Sequence, residues 1–146
     1  MILSKFSNEE ADILIGTQMI VKGHDFGKVT LVGALAADLS LYANDYSSAE
    51  RTFQLLSQAA GRAGRRNMPG KMVIQTYNPE HYSIEMAKEQ DYVGFYHKEI
   101  LYRKMLQYPP VGHLLAILLS SKEEQRTRQA AQLLAGAAKE QISDAT

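Results

Sequence analysis

Residues 47–77 read SSAERTFQLLSQAAGRAGRRNMPGKMVIQTY, and this stretch decides the fold. Its first half predicts an amphipathic helix, because Phe53, Leu56 and Ala60 are spaced to lie on one helix face. The Pro69-Gly70 pair predicts a turn, and the apolar run KMVIQTY after it predicts a strand. The stretch therefore predicts a helix that leads through a turn into a strand.

Two more apolar runs precede this helix, ADILIG (11–16) and VTLVGAL (29–35). Short, nearly continuous apolar runs are typical of strands that are buried on both faces of a parallel sheet. The order strand, connection, strand, helix, strand predicts an α/β domain. At the start of the helix, SSAE (47–50) matches a capping box with Ser47 as N-cap and Glu50 bonding back to it.

The sequence changes character at residue 78, where Asn78 and Pro79 match an N-cap and a first helical position. A mostly helical, aromatic-rich stretch is predicted from there to about Leu106, with a break near Asp91 and Gly94. Because the stretch stops at the prolines of Tyr108-Pro109-Pro110, we place a domain boundary there.

After this boundary, LLAILLS (114–120) predicts a strand, and Ser121 with Glu124 predicts a second capping box. A helix is predicted next from an apolar stripe formed by Ala130, Leu133, Leu134, Ala137 and Ala138. A unit of about 35 residues is too small for an independent core, so we expect the chain to end partway through a second domain.

Composition limits the classes of function that are open to the chain. The absence of cysteine excludes a disulfide framework and a cysteine zinc site within these residues. His24 beside Asp25 is too little to predict a metal site. The chain has no apolar run of about 18 residues and no signal-peptide pattern, and we expect a cytoplasmic protein with no membrane partner. The formal net charge is zero, so any affinity for nucleic acid must come from local clusters.

One cluster of this kind lies at the carboxyl end of the predicted helix. Gln58, Arg62 and Arg65 stand at i, i+4 and i+7, so a continuing helix would present all three on one face. Arginine matches phosphate oxygens with a planar fork of donors. The alternative is a solvated basic helix end whose arginines interact only with the helix dipole. The spacing Q-x-x-G-R-x-G-R is more specific than a charge run and favours a phosphate site.

The stretch QAAGRAGR (58–65) resembles motif VI of superfamily two helicases. The longer stretches ILIGTQMIVKGHDFGKVTLVGALAAD (13–38) and AERTFQLLSQAAGRAGR (49–65) are similar to one family among them, the primosomal replication-restart helicases. In that comparison the first stretch corresponds to motif V. The similarity continues through GKMVIQTYNPEH (70–81) and YPPVGHLLAILLSS (108–121), and so covers most of the chain.

The resemblance implies a fold and a domain organisation. Residues 1–78 correspond to the C-terminal part of the second RecA-like helicase lobe, a parallel sheet with flanking helices. Residues 79–108 correspond to a helical connection, and residues 109–146 to the beginning of a small, incomplete α+β C-terminal domain. Gly27 departs from the family pattern, in which proline is usual at this position.

The resemblance also implies roles for individual residues. Arg65 corresponds to the arginine finger, which contacts the γ-phosphate across the cleft between the lobes. Arg62 supports the same phosphates or pairs with the acidic motif of the other lobe, and Gln58 lines the nucleotide side. The implied nucleotide-binding residues are Gly61, Gly64, Gly23 and Asp25. The implied DNA-binding residues are Gly16, Thr17, Gln18, Lys22 and His24.

The function implied is that of an ATP-dependent 3′-to-5′ DNA helicase in replication restart and primosome assembly. Its cofactors are ATP and Mg²⁺. Zinc is also implied, but the family's cysteine cluster lies outside this chain. The implied partners are forked or single-stranded DNA, primosome proteins and single-strand-binding proteins. The chain has no G-x-x-x-x-G-K-[ST] loop and no acidic motif, so we expect it to be inactive alone.

Two alternatives stay open at this point. The nearest alternative is another superfamily two DNA translocase that uses the same lobe for tracking along duplex DNA or remodelling it. A non-catalytic module is the other alternative, in which the lobe keeps its fold and serves as a docking surface for replication proteins.

Overall fold

The structure, a computed structural model, describes residues 2–17, 26–43, 45–64 and 69–143. It divides the chain into two compact units, Met1–Gly112 and His113–Thr146. In the first unit the elements are α1 (Ile2–Ser7), β1 (Leu31–Ala34), a 3-10 helix (Ala37–Ser40), α2 (Ser48–Ala60), β2 (Lys71–Ile74), α3 (Tyr82–Glu89) and α4 (Tyr92–Leu106). In the second unit the structure describes one helix, α5 (Glu124–Ser143).

The centre of the first unit is a β-α-β crossover. Strands β1 and β2 pair in parallel, with Leu31 opposite Lys71 and Ala34 opposite Ile74. Helix α2 lies between them in sequence, as a parallel connection requires. The α/β class is therefore confirmed, as are the strands predicted within 29–35 and 71–77 and the helix between them.

The two-stranded sheet has one covered face. Ala34, Met72 and Ile74 pack against the hydrophobic core, whereas Leu31 and Val73 on the other face are 60% and 47% exposed. Successive strand side chains point to opposite faces, so packing on one side leaves every second residue outside. The prediction of strands buried on both faces is wrong for the part of the chain that the structure describes.

The core brings α2, α3 and α4 together. Phe53 and Leu56 from α2 meet Ile84 and Ala87 from α3, and Phe95 arrives from α4. The rings of Phe53 and Phe95 stack with centroids 4.2 Å apart. The predicted apolar face of α2 is confirmed at Phe53 and Leu56, which are each 5% exposed. This packing fixes α2 between the sheet and the two later helices.

Two predicted strands do not form. Residues 11–16 and 114–120 are irregular, and their large apolar side chains are largely exposed, among them Ile15 at 86% and Leu118 at 93%. A strand exists only when a neighbour completes its hydrogen bonds. Among the described residues, neither segment pairs with another strand.

The predicted capping boxes also fail. Ser47 precedes α2 but its side chain makes no capping hydrogen bond, and Glu50 bonds to Gln54 and Arg103 instead. Before α5, the Ser121 hydroxyl accepts from the backbone N–H of Glu123. The α5 helix itself is confirmed. Both boxes are wrong because the side chains have other partners.

Helix α3 begins later than predicted. His81, not Asn78, is its N-cap, and the ring Nδ1 accepts from the Ser83 backbone N–H at 3.3 Å. The break near Asp91 is confirmed, since Gln90 adopts a left-handed conformation and the Asp91 side chain caps α4 through the Gly94 N–H at 2.8 Å. Helix α4 ends at Leu106, as predicted.

Asp38 explains why the segment after β2 is not helical. Asp38 is 3% exposed, and its carboxylate accepts from the Thr76 hydroxyl, the Tyr77 N–H at 2.8 Å and the Asn78 N–H at 3.2 Å. These bonds hold the chain at the carboxyl ends of both strands. The Thr76 hydroxyl and then the Tyr77 N–H lower the pKa of Asp38, because both stabilise its charged form.

Across the described ranges, every helix is too short or too polar to cross a bilayer.

Replacing Asp38 with asparagine should destabilise the protein in a pH-dependent way. The folded-state pKa lies below the ordinary 3.8, so the carboxylate adds stability above that pH and loses it as the pH falls through the folded pKa. Urea unfolding at several pH values should show a gap between wild type and Asp38→Asn that is constant from about pH 7 to 5 and shrinks below about pH 4. Exposed Asp12→Asn is the matched control. A gap that does not change with pH would contradict the assignment.

Candidate functional site

Helix α2 ends before the predicted arginine face is complete. The Gly61 N–H donates to the Ser57 carbonyl oxygen, but the Arg62 N–H donates to Ala59 and the Ala63 N–H to Ala60, at 3.0 and 3.2 Å. Bonds from residue i to i−3 mark a tightened turn in place of α-helix. We call residues 61–64 the glycine–arginine turn.

The predicted helical face is therefore wrong at Arg62. Gln58 lies exposed on the last turn of α2, whereas Arg62 is partly buried in the glycine–arginine turn beyond the helix end. Arg65 lies outside the described residues. The structure thus places Gln58, Gly61, Arg62 and Gly64 at one end of α2, in a turn and not on one helix face.

The glycine–arginine turn is attached to the start of the sheet. The Gly64 N–H donates to the Val29 carbonyl oxygen at 2.9 Å, and the Lys71 N–H donates to Thr30 at 2.8 Å. Gly64 has a φ of 74°, a left-handed conformation that a side chain would strain. A Cβ on Gly70 would overlap the backbone of Ala63 and Gly64. The turn contacts the segments at Val29 and Gly70 backbone to backbone, so its position relative to β1 and β2 is fixed.

The electrostatics at the carboxyl end of α2 limit the kind of ligand that could bind there. The carboxyl end of a helix carries a partial negative charge, which favours cations and repels a phosphate. An anion at this end must therefore be held by side-chain charge and not by the helix. Arg62, with the exposed amide of Gln58 nearby in sequence, supplies donors of the type that phosphate oxygens accept.

The other predicted site residues belong to the motif V segment. Gly16 and Thr17 are exposed at the end of the irregular segment 11–17. The remaining predictions at Gln18, Lys22, Gly23, His24 and Asp25 lie outside the described residues.

Sequence reasoning missed a charged cluster around Arg103. This side chain is 11% exposed, and all three of its nitrogen atoms donate. Nε bonds to Glu99 Oε1 at 2.7 Å, Nη2 to Glu50 Oε2 at 2.7 Å and Nη1 to the Pro109 carbonyl oxygen at 3.0 Å. The guanidinium carbon also lies 5.5 Å from the centre of the Tyr46 ring.

The second carboxylate oxygen of Glu99 also accepts a hydrogen bond. Tyr82 donates its phenol to Glu99 Oε2 at 2.6 Å, and burial followed by this hydrogen bond raises the pKa of Tyr82 well above its usual range. We call Tyr46, Glu50, Tyr82, Glu99 and Arg103 the Arg103 cluster. The i, i+4 spacing of Glu99 and Arg103 was its one local signal. The link to Glu50 spans 53 residues and had none.

The described residues do not form a metal centre. No group of three or more His, Asp or Glu side chains among them is placed to hold an ion, and the sequence contains no cysteine. These residues therefore do not fit a zinc cluster or a self-contained Mg²⁺ site.

Comparison with known proteins shows what the chain is similar to. No protein-family model matches it. The replication restart protein PriA of Bacillus subtilis, however, is 49% identical over 134 residues, which cover 92% of this chain. The chain corresponds to a segment of a PriA-family protein. PriA of Synechocystis sp. is 46% identical over 134 residues, and PriA of Chlamydia pneumoniae is 41% identical over 141 residues, or 97% of the chain.

The resemblance read from motifs V and VI is thereby confirmed at the level of the PriA family. The chain spans only 17%, 16% and 19% of the length of these three PriA proteins.

The three glycines around the turn should respond differently to alanine. Gly64→Ala should cost about 1–2 kcal/mol because of its left-handed backbone. Gly70→Ala should cost more, since the backbone of Ala63 and Gly64 would have to move. Gly61→Ala is the control: a Cβ there meets its nearest neighbours at an ordinary 3.6 Å, so stability should change by less than about 0.5 kcal/mol. Urea unfolding midpoints test this order. Equal losses at Gly61 and Gly70 would contradict it.

Proposed function

We propose that this chain is part of an ATP-dependent 3′-to-5′ DNA helicase that acts in replication restart. In this proposal the chain supplies the arginine-finger half of the ATP site and part of the DNA track. The observation that carries the proposal is the match to replication restart proteins over at least 92% of the chain in the three comparisons, including the whole Q-x-x-G-R-x-G-R stretch. The glycine–arginine turn supports it with donors suited to phosphate.

The fold proposal is that residues 1–78 are the C-terminal part of a RecA-like lobe. The parallel crossover of β1, α2 and β2 supports it, because such sheets gather their ligand residues in the loops at strand and helix ends. Residues 79–108 are proposed as the helical connection and residues 109–146 as the beginning of a C-terminal domain. Helices α3 and α4 pack on α2 in this structure, so the connection contributes to the core of the lobe.

In phosphoryl transfer the main contributions of the protein are to position the reacting groups and to stabilise their charge. We assign Arg65 to the terminal phosphate as arginine finger, with Arg62 supporting the same phosphates and Gln58 orienting an oxygen or a water at the edge of the site. A guanidinium suits this role because it stays charged and donates from a planar fork. Gly61 and Gly64 add no side chains of their own beside the nucleotide, and Gly23 and Asp25 belong to the same site in the proposal.

The residues at the carboxyl end of α2 fit the phosphate part of ATP. The donor set at the end of α2 fits phosphate, and so fits the outer edge of ATP. The ligands for Mg²⁺ belong to the other lobe in this proposal, and zinc belongs to another part of the full-length protein. When bound, ATP and Mg²⁺ supply the phosphoryl group and neutralise its charge.

The DNA track is proposed along motif V. The hydroxyl and backbone N–H of Thr17 can donate to a backbone phosphate, and the lack of a side chain at Gly16 lets the strand come close. Gln18, Lys22 and His24 continue this track. Forked or single-stranded DNA, primosome proteins and single-strand-binding proteins are the proposed partners, and the cytoplasm is the proposed location.

Arg65→Ala in the full-length protein should abolish DNA-stimulated ATP hydrolysis. Loss of an arginine finger lowers turnover by about 10³–10⁵-fold. DNA affinity should stay within about threefold, because one charge among many contributes little to backbone binding. Steady-state ATPase assays and fluorescence anisotropy measure the two quantities.

The matched control is Arg66→Ala, which removes the same charge from the next residue, outside the Q-x-x-G-R-x-G-R spacing. Turnover by Arg65→Ala at the rate of Arg66→Ala would refute the arginine-finger role. Unwinding of forked DNA, compared with translocation on plain duplex, separates a restart helicase from another translocase. A full-length protein without any ATP hydrolysis would instead support the docking module.

The 146-residue chain by itself should bind a labelled fork weakly and should not hydrolyse ATP. Its net charge is zero, so the few local cations release few counterions, and affinity should fall further between 50 and 200 mM salt. Anisotropy titrations at both salt concentrations measure this. Tight binding at physiological salt would contradict the expectation.

A further inference from the structure

We propose that Arg103 is a positioning residue for the arginine-finger half of the ATP site. It fixes the amino-terminal end of α2, the helix whose other end leads into the glycine–arginine turn. This inference rests on the proposed function and extends it to a residue outside motifs V and VI.

The contacts of Arg103 are suited to holding α2 in one orientation. Two carboxylates from different helices, Glu99 on α4 and Glu50 in the first turn of α2, lie 2.7 Å from separate guanidinium nitrogens. A third nitrogen donates to the Pro109 carbonyl oxygen. Lysine cannot reproduce this arrangement, because an ammonium group is a point charge without the planar fork.

The partner on α4 is itself fixed. Glu99 is 8% exposed, and its second oxygen accepts from the Tyr82 phenol on α3. Arg103 therefore cannot swing with Glu50 if α2 tilts, since its position is set by α3 and α4. The cluster resists movement of α2 relative to both helices.

Helix α2 connects this cluster to the ATP site. Its 13 residues span about 20 Å, from Glu50 near one end to Gln58 and the glycine–arginine turn at the other. Phe53 and Leu56 anchor the middle of the helix, and the Gly64–Val29 hydrogen bond anchors the turn. With the middle held as a pivot, release of the amino end lets the helix tilt, and the carboxyl end then shifts by the small amount that the Gly64–Val29 hydrogen bond allows. A displacement of about 1 Å at a catalytic group can lower turnover by as much as about 100-fold.

The test uses the full-length protein with Arg103→Lys and, separately, Glu50→Gln. Each variant should lower kcat for DNA-stimulated ATP hydrolysis by about tenfold, while KM for ATP stays within about twofold, because the change affects the reacting geometry more than nucleotide binding. The matched control is Arg51→Lys on the same turn of α2. Arg51 pairs with Asp45 on the surface, is 54% exposed and should keep wild-type kcat.

A merely structural role for Arg103 has a different signature. Titration with a fluorescent ATP analogue counts folded sites, and a structural defect would reduce that count without changing kcat per site. Glu50→Gln protects the test against misfolding of Arg103→Lys, since Glu50 is 39% exposed and leaves the buried Arg103–Glu99 pair intact. The double variant should be no slower than the slower single variant, because the two changes break the same contact.

The outcomes separate this proposal from the one on which it rests. Wild-type kcat per site in both single variants, alongside an inactive Arg65→Ala, would overturn the positioning role and leave the ATP-site proposal standing. Wild-type turnover by Arg65→Ala, or an inactive wild-type protein, would overturn both.

Discussion

Phe53 stacks on Phe95 with ring centroids 4.2 Å apart, and the rest of the first unit depends on this contact between α2 and α4. This contact holds α4 against α2, the helix that connects β1 and β2. Burial of each ring contributes about 1.5–3 kcal/mol. Because α2 is also tied to β1 and β2 at the glycine–arginine turn, its position is determined from both sides. Side chains on α2 can therefore serve a site that requires accurate placement.

The glycine–arginine turn illustrates a conflict between backbone and side-chain electrostatics. The helix end points its carbonyl oxygens toward the place where the proposed function puts a phosphate, and this is unfavourable for an anion. Arginine compensates because its charge is permanent and its donors diverge. Gly64 and Gly70 fix the position of the turn relative to the strands through backbone contacts.

The features predicted correctly from the sequence are those with local causes. The apolar face of α2 follows from helical periodicity, strands β1 and β2 lie within apolar runs of the sequence, and the break at Asp91 follows from its own capping side chain. The segments 11–16 and 114–120 were mispredicted because an apolar run specifies a strand only when a partner is present. The pattern on which the proposed phosphate site rests is visible in the sequence because its residues are neighbours there. The Arg103 cluster was not, since Glu50 could be assigned to a local cap until its distant partner was placed.

The distribution of charge explains why a nucleic-acid function cannot be read from composition. Many of the described cations are paired with carboxylates close by in sequence or on an adjacent helix, among them Arg51, Lys88, Lys98, Arg126 and Arg128. Such pairs contribute little to stability at the surface, but they cancel the field that would attract DNA at long range. In the proposed function, recognition of DNA by this chain would then be short-range, through donors placed at particular phosphates. Binding would then depend on the backbone geometry of the glycine–arginine turn and of Gly16 and Thr17. A displacement of about 1 Å at these positions would lower the affinity or turnover more than an added charge would raise it.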